Sequence, residues 1–312
     1  MRHNTYMQNT HLEHPEDTIL TGDMSVLDCL MSEGDLSVKI DGAPAIVWGT
    51  NPTTGNFFVG TKSVFNKVKI KINESHQDIE QNHTGAVAEI LHHCFDCLPS
   101  TSGIVQCDFI GFGGDDNYTP NTITYLFDEI IHQNIIIAPH TLYATDGELK
   151  DAYVINDMVD MEIFKDTETC KFVQPKARIF SGSYDKCAGS FDDLSDIIDF
   201  ARQMSTMVQF VDEKKAKKIK QQINACIRTN VEVTADDFDC DPNLIGFWKL
   251  VKSIKDDALY LCRNNGPAAY IGQDRIDAEG YVFTNEFGMI KLINREQFSY
   301  ANFNCGKFQS AV

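Results

Sequence analysis

The sequence predicts an α+β protein, a mostly antiparallel sheet domain (residues 1–190 and 265–312) interrupted by an α-helical insertion (residues 191–264). Three observations carry this. Short apolar segments with strand-like alternation, each closed by turn residues, recur between Leu36 and Lys165. From about Asp192 to Asn264 the pattern changes to helical spacing. Alternation then returns in EGYVFTN and GMIKLIN, starting at Glu279 and Gly288.

Residues 1–35 read as helical and then looped, with Leu27, Leu30 and Met31 at helical spacing. LSVKIDG, PAIVWG and NFFVGT follow as short strands, separated by turn signals at Asn51-Pro52 and Thr54-Gly55. A helix is predicted over 84–95, where Val87, Ile90, Leu91 and Cys94 share a stripe. Strands resume at GIVQCDFIGF, TITYLF, NIIIAPH, DAYVIN and MEIFK, with a hairpin turn predicted at Asp146-Gly147. In the insertion, Leu194, Ile197, Ile198, Met204, Met207 and Val208 fit one helix, and Leu244, Phe247, Leu250, Val251 and Ile254 another.

The 312 residues allow one large domain or two ordinary ones, and 43% hydrophobic content supplies a proper core, which excludes wholesale disorder. The chain has no apolar run long enough to span a bilayer, and its polar first residues lack a signal-peptide core. Ten cysteines without a secretory signal read as reduced thiols. The expected setting is the cytoplasm, that of the host if the protein is viral, with no membrane partner and no evident obligate protein partner. Lys+Arg of 27 against Asp+Glu of 45 gives a formal −18, which argues against a protein that coats or packages nucleic acid. An enzyme that grips a strand locally is still compatible. The basic residues cluster at Lys62, Lys67, Lys69 and Lys71, and again at Lys214, Lys215, Lys217, Lys218 and Lys220.

The sharpest chemical signal is Lys39-Ile40-Asp41-Gly42. Alternation puts Leu36, Val38 and Ile40 on one face and Lys39 with Asp41 on the other, at a strand end that stops on a glycine. A K-x-D-G by itself is most simply a solvated ion pair before a turn. Its functional reading is a nucleophilic lysine beside a carboxylate placed to hold a metal or a ribose.

This stretch resembles motif I of the covalent nucleotidyltransferase superfamily, which comprises ATP-dependent DNA ligases, RNA ligases and mRNA capping enzymes. Its motif lysine attacks a nucleotide α-phosphate and forms a lysyl–NMP phosphoramidate. GTKSVFNK, Gly60 to Lys67, stands where motif Ia belongs, with Lys62 in place of the usual arginine. GIVQCDFIGF resembles motif III, with Gln106 and Asp108 on one face and Asp108 replacing the more usual glutamate. TITYLF resembles motif IIIa, whose aromatic stacks on the purine, a role for Tyr125 or Phe127. EGYVF from Glu279 resembles motif IV, and Lys291 in GMIKLIN resembles the first lysine of motif V. The second lysine of that K-x-K pair is replaced by Ile293, with Arg295 two positions on.

The resemblance covers about residues 36–127 and 279–295 and implies an adenylation domain using ATP and Mg²⁺, with Mn²⁺ as an alternative ion. It implies Lys39 as nucleophile, Asp41, Asp108 and Glu279 as metal-side acids, and Lys62 and Lys291 as phosphate cations. It also implies that Val38, Ile40 and Gly42 line the nucleotide, with Lys67, Lys214, Lys217, Lys218 and Arg295 as strand-contact candidates. This agrees with the chemistry. Nucleotidyl transfer builds charge on phosphate oxygens, which cations and a divalent metal neutralise, and a cation and metal near Lys39 favour its neutral form. Hard oxygen ligands select Mg²⁺.

Only the stretch Glu296–Val312 follows Arg295, too short for the OB domain that DNA ligases and capping enzymes carry after motif V. The expectation is therefore an RNA ligase, similar to short ligase-like proteins of tailed phages, joining 5′-phosphate and 3′-hydroxyl ends. A DNA nick-sealing ligase is the alternative, 5′-adenylation or capping comes third, and a non-catalytic nucleotide- or strand-binding protein is the alternative of another class. Other clusters read more simply. His92-His93-Cys94-x-x-Cys97 is a helix with buried thiols before it is a zinc site. His11, Glu13, His14, Glu16 and Asp17 are a helix-cap region before they are a metal or substrate patch. Gly111, Gly113 and Gly114 match neither P-loop nor Rossmann spacing.

Overall fold

The computed structural model describes residues 7–8, 13–155, 164–174, 176–179 and 191–298. In chain order, β1 (Met7–Gln8) precedes helices α1 (Pro15–Thr18) and α2 (Ser25–Met31), then β2 (Asp35–Lys39), β3 (Ala45–Thr50) and β4 (Phe57–Gly60). Helices α3 (His76–Asn82) and α4 (Gly85–Cys97) lead to β5 (Ile104–Phe112), β6 (Asn117–Tyr118), β7 (Thr124–Leu126) and β8 (Ile135–Ala144). Next are β9 (Tyr153–Val154), β10 (Cys170–Phe172), β11 (Ala177–Ile179), then α5 (Phe191–Ser205), α6 (Glu213–Arg228) and α7 (Pro242–Tyr260). The described chain closes with β12 (Cys262–Asn264), β13 (Ala268–Ile271), β14 (Asp274–Ile276), β15 (Gly280–Asn285) and β16 (Gly288–Ile293). The fold is mixed α and β with mostly antiparallel sheets, and β10 runs parallel to β8.

The chain divides into two units. The first comprises Met1–His11, Lys39–Pro175 and Gly266–Ile276. Its main sheet has the order β1-β9-β8-β5-β3-β4 with β10 on β8, and a second sheet has the order β14-β13-β7-β6. On β3, Ile46 and Trp48 join a core with Ile79, Leu91 and Cys94, while Val47 joins one with Phe58, Val64 and Tyr143. Burial on both faces explains why AIVWG reads as a continuous apolar run. Helix α4 extends slightly beyond the predicted span, and its stripe is buried at Leu91 and Cys94, with Val87 and Ile90 packed alongside.

One local expectation changes. The link from β8 to β9 is longer than a tight turn at Asp146-Gly147 and contains the 3₁₀ turn Leu149–Asp151. The alternation missed this because Leu149 is itself buried. The predicted strand MEIFK lies mostly outside the described residues.

The second unit comprises Leu12–Val38, Lys176–Asn265 and Asp277–Val312. Helix α7 packs against α5 and α1, burying Leu244, Phe247, Trp248, Val251 and Ile254 at helical spacing. Helix α6 is capped by Asp212, whose side chain accepts from Lys215 N–H, and it buries Ala216, Ile219, Ile223 and Ile227. The sheet β16-β15-β2 completes the unit, and β2 ends at Lys39, where the chain enters the first unit. Among the described residues, no helix is long and apolar enough to cross a membrane.

Candidate functional site

The K-x-D-G segment is built into the first unit by contacts that its sequence alone does not announce. Lys39 and Asp41 project together as the alternation requires, with Nζ 3.3 Å from Oδ1 and both side chains half-buried. Val38 and Ile40, on the opposite parity, are buried. The Asp41 backbone N–H donates to the Tyr125 hydroxyl at 2.7 Å, and the Asn121 side-chain amide donates to the Asp41 carboxylate. Asp41 is therefore fixed at both ends and aims one oxygen at the lysine.

Gly42 sits directly against β5. A Cβ at this position would lie 2.4 Å from the Phe109 carbonyl oxygen and 3.1 Å from Asp108 Cβ. Only a residue without a side chain lets the loop approach this closely. Ala43 N–H donates to Phe109 O at 3.0 Å and Phe109 N–H to Pro44 O at 3.1 Å, so the segment after the motif is hydrogen-bonded to the strand carrying Asp108.

Asp108 and Gln106 share the expected face of β5. Beside them stands His140, which the sequence reading did not select. Gln106 pairs with Thr141 and Cys107 with Pro139, leaving His140 as the extra residue of a β-bulge on β8. The bulge re-aims the imidazole: its Nε2 lies 3.3 Å from Gln106 Nε2 and 3.8 Å from Asp108 Oδ1. The Tyr143 hydroxyl donates to Gln106 Oε1 at 2.9 Å, which orients the amide; burial pushes that phenol up to about 12, so it stays a donor.

Lys62 is exposed on a 3₁₀ turn capped by Thr61, and Lys67 is exposed just beyond it. Tyr125 is 3% exposed and committed to Asp41, so its hydroxyl anchors the motif loop. Of the two aromatic candidates, Phe127 is the half-buried one, packed edge-on to Tyr118. In the second unit Glu279 directly precedes β15 and Lys291 lies opposite Val282 in the β15–β16 hairpin, both half-buried. The adjoining Gly280 packs on β16, where a Cβ would meet Leu292 O at 2.4 Å. Lys214, Lys217 and Lys218 lie on the exposed face of α6.

Arg295 overturns its expected role. It is 1% exposed, and its Nη1 donates to Glu16 Oε1 at 3.0 Å and Asp17 Oδ1 at 2.9 Å. A guanidinium buried between two carboxylates is not available to a strand. Glu16 and Asp17 lie in the first turn of α1 behind the N-cap His14, as a helix-cap region, but they are buried in an ionic network: Lys255 and Arg295 pair with Glu16 Oε1, and Arg295 and the Trp248 indole with Asp17 Oδ1. The Cys94 and Cys97 thiols face the core, and His92 instead hydrogen-bonds His76 at 2.7 Å, which leaves a helix with buried thiols.

Among the described residues, no three His, Cys, Asp or Glu side chains gather into a metal-binding group. Mg²⁺, however, is commonly held by one or two carboxylates together with substrate phosphates and water. The Asp41 and Asp108 carboxylates in the first unit are hard-oxygen donors of that kind, so the residues fit such an ion. No curated protein and no solved structure matches this chain. The profile of the family of unknown function DUF6267 matches residues 9–240 and 239–307, so the chain belongs to DUF6267.

Proposed function

We propose that this protein is an ATP-dependent polynucleotide ligase of the covalent nucleotidyltransferase type, acting on RNA ends. The observation that carries the reading is the Lys39–Asp41 pair, held at 3.3 Å on a loop whose glycine packs onto the strand bearing Asp108. An amine fixed beside a carboxylate, with a second carboxylate on the adjoining strand, is the arrangement that nucleophilic attack on a metal-bound triphosphate requires.

In the proposed reaction Lys39 Nζ, having given up its proton, attacks the α-phosphorus of ATP. The P–N bond forms, the bond to the β-phosphate oxygen breaks and pyrophosphate leaves. A 5′-phosphate oxygen then displaces the lysine and takes the AMP, and a 3′-hydroxyl attacks the activated 5′-phosphate and releases AMP. Asp41 orients the amine, Lys62 neutralises phosphates, and Asp41 and Asp108 would hold Mg²⁺. When bound, that ion supplies charge neutralisation at the phosphate oxygens.

A second reading, a non-catalytic nucleotide- or strand-binding protein, is favoured by one observation. Ile293 stands where the second motif V lysine is expected and is 6% exposed, so that position offers no cation to a phosphate. Intact mass after incubation with ATP and Mg²⁺ separates the two. The ligase reading expects a gain of roughly 329 Da, one AMP, on the wild type and none on Lys39→Ala. Absence of an adduct on protein first stripped with pyrophosphate sinks it and leaves the binding reading. Comparison of single-stranded RNA, splinted RNA and nicked DNA then fixes the strand type, and sealing of nicked DNA alone makes it a DNA ligase.

A further inference from the structure

We infer that the loop Lys67–Ile70 is a strand-engaging element that grips a single-stranded polynucleotide through its two lysines and its two exposed aliphatic side chains. This rests on the reading that the chain acts on polynucleotide ends, and it extends the engagement from Lys67, already a strand-contact candidate, to Val68, Lys69 and Ile70, which no motif covers.

The loop is rigidly based. It leaves the core at Val64, fully buried, and Phe65, whose ring lies 4.7 Å from that of Tyr143. It returns at Ile72, packed on the same cluster, and at Asn73, fully buried and hydrogen-bonded in both directions to Val59. The base is closed by one acceptor, since Asn66 N–H and Lys71 N–H both donate to Ser63 O, at 3.2 and 3.4 Å. Lys71 Nζ adds a bond to Asn82 O at 2.6 Å. A loop pinned this way presents its tip with little ordering left to lose on binding.

The tip has the opposite character to its base. Val68 is 76% exposed and Ile70 40%, between and beside the exposed lysines 67 and 69. Lys69 adopts φ +56°, a left-handed conformation that favours glycine, yet the position carries a long cation. Strained non-glycine residues held by a fixed scaffold concentrate at binding sites. The chain as a whole is −18 and repels polyanions, so contact requires a local cationic projection. Alternating cations and aliphatic groups suit a partner whose charges alternate with apolar faces. An unpaired nucleic-acid strand has this pattern, with phosphates for lysines and base faces for aliphatic wedges. Anionic bilayers select larger basic clusters than two lysines.

The test is fluorescence anisotropy of labelled 5′-phosphorylated single-stranded RNA and DNA with the full chain across a salt series, alongside phosphatidylserine vesicles. The expected results are distinct for the two halves of the loop. Lys67→Ala/Lys69→Ala lowers affinity and reduces the slope of log K against log salt by about 1.4, two phosphate contacts at roughly 0.7 each. Val68→Ser/Ile70→Ser weakens binding about tenfold with the slope unchanged. The inference is overturned if the wild type binds neither strand at low salt, if both double variants bind as the wild type does, or if loop-dependent binding is confined to vesicles. Self-adenylation by ATP involves no strand, so that assay judges the ligase reading separately.

Discussion

The Tyr125 hydroxyl accepts the Asp41 backbone N–H at 2.7 Å, tying the K-x-D-G loop to a strand 84 residues further along the chain. The phenol sets the height of the Asp41 backbone, while Asn121 sets its carboxylate. Tyr125→Phe keeps the ring and removes the acceptor. It is expected to cost about 1 kcal/mol of stability and to slow lysyl-AMP formation up to about tenfold. Denaturant melts and a time course of intact mass check the two effects, and a Tyr125→Phe variant that matches the wild type in both shows that the bond positions nothing.

Gly42→Ala forces a Cβ to 2.4 Å from the Phe109 carbonyl oxygen, a backbone atom that moves only if β5 moves. The substitution is expected to destabilise by about 1–3 kcal/mol and to abolish the ATP adduct. Gly103→Ala is the control, because its Cβ meets nothing within 4 Å, and it is expected to shift stability by less than about 0.5 kcal/mol. Equal midpoints for the two variants in urea would remove the packing argument for the motif glycine.

Legibility in the sequence tracked the range of each interaction. Strands and the α4 helix followed from period, because burial on one or two faces writes itself into neighbouring residues, and Lys39 with Asp41 followed from alternation. What decides their setting is distant. Tyr125 and Asn121 reach Asp41 from 84 and 80 positions away, and nothing local to either marks the contact. His140 escaped because a bulge breaks the alternation that would have placed it on the Asp108 face. Arg295 misled for the same reason: its position near Lys291 suggested phosphate, whereas its partners Glu16 and Asp17 lie 279 and 278 residues earlier.

The thiols should separate by burial. Burial pushes Cys29 up to about 11 and Cys262 up to about 12, and raises Cys94, Cys107 and Cys170 as well. Thiolate is the reactive form, so these five are expected to resist alkylation at pH 8 until the chain unfolds. Cys226 and Cys240 are only half-buried and should label before these five. Pulsed iodoacetamide followed by peptide mass spectrometry reads each site, and early labelling of Cys94 or Cys107 would contradict the two-faced core around β3.

Arg295 is expected to be worth far more to the fold than a surface cation. Removing one partner of a buried ionic network leaves charge without compensation, so Arg295→Ala should cost about 3–5 kcal/mol, read from the urea midpoint at unchanged slope. The pH dependence follows from the two carboxylates. Burial alone would raise Glu16, but Lys255 and Arg295 outweigh it and hold the group below its ordinary 4.5. Its contribution is thus present above that value and is lost as pH falls through the lowered one. Asp17 runs the other way: burial exceeds the pull of Arg295 and the Trp248 bond and raises it above 3.8, so acidification relieves a penalty there. Without the guanidinium both groups shift upward and take up protons more readily. The deficit of Arg295→Ala is therefore expected to be largest near pH 7 and to shrink towards pH 4, measured as the difference in unfolding free energy from wild type. A deficit that stays constant over this range would show that lost packing against Trp248, rather than orphaned charge, accounts for the effect.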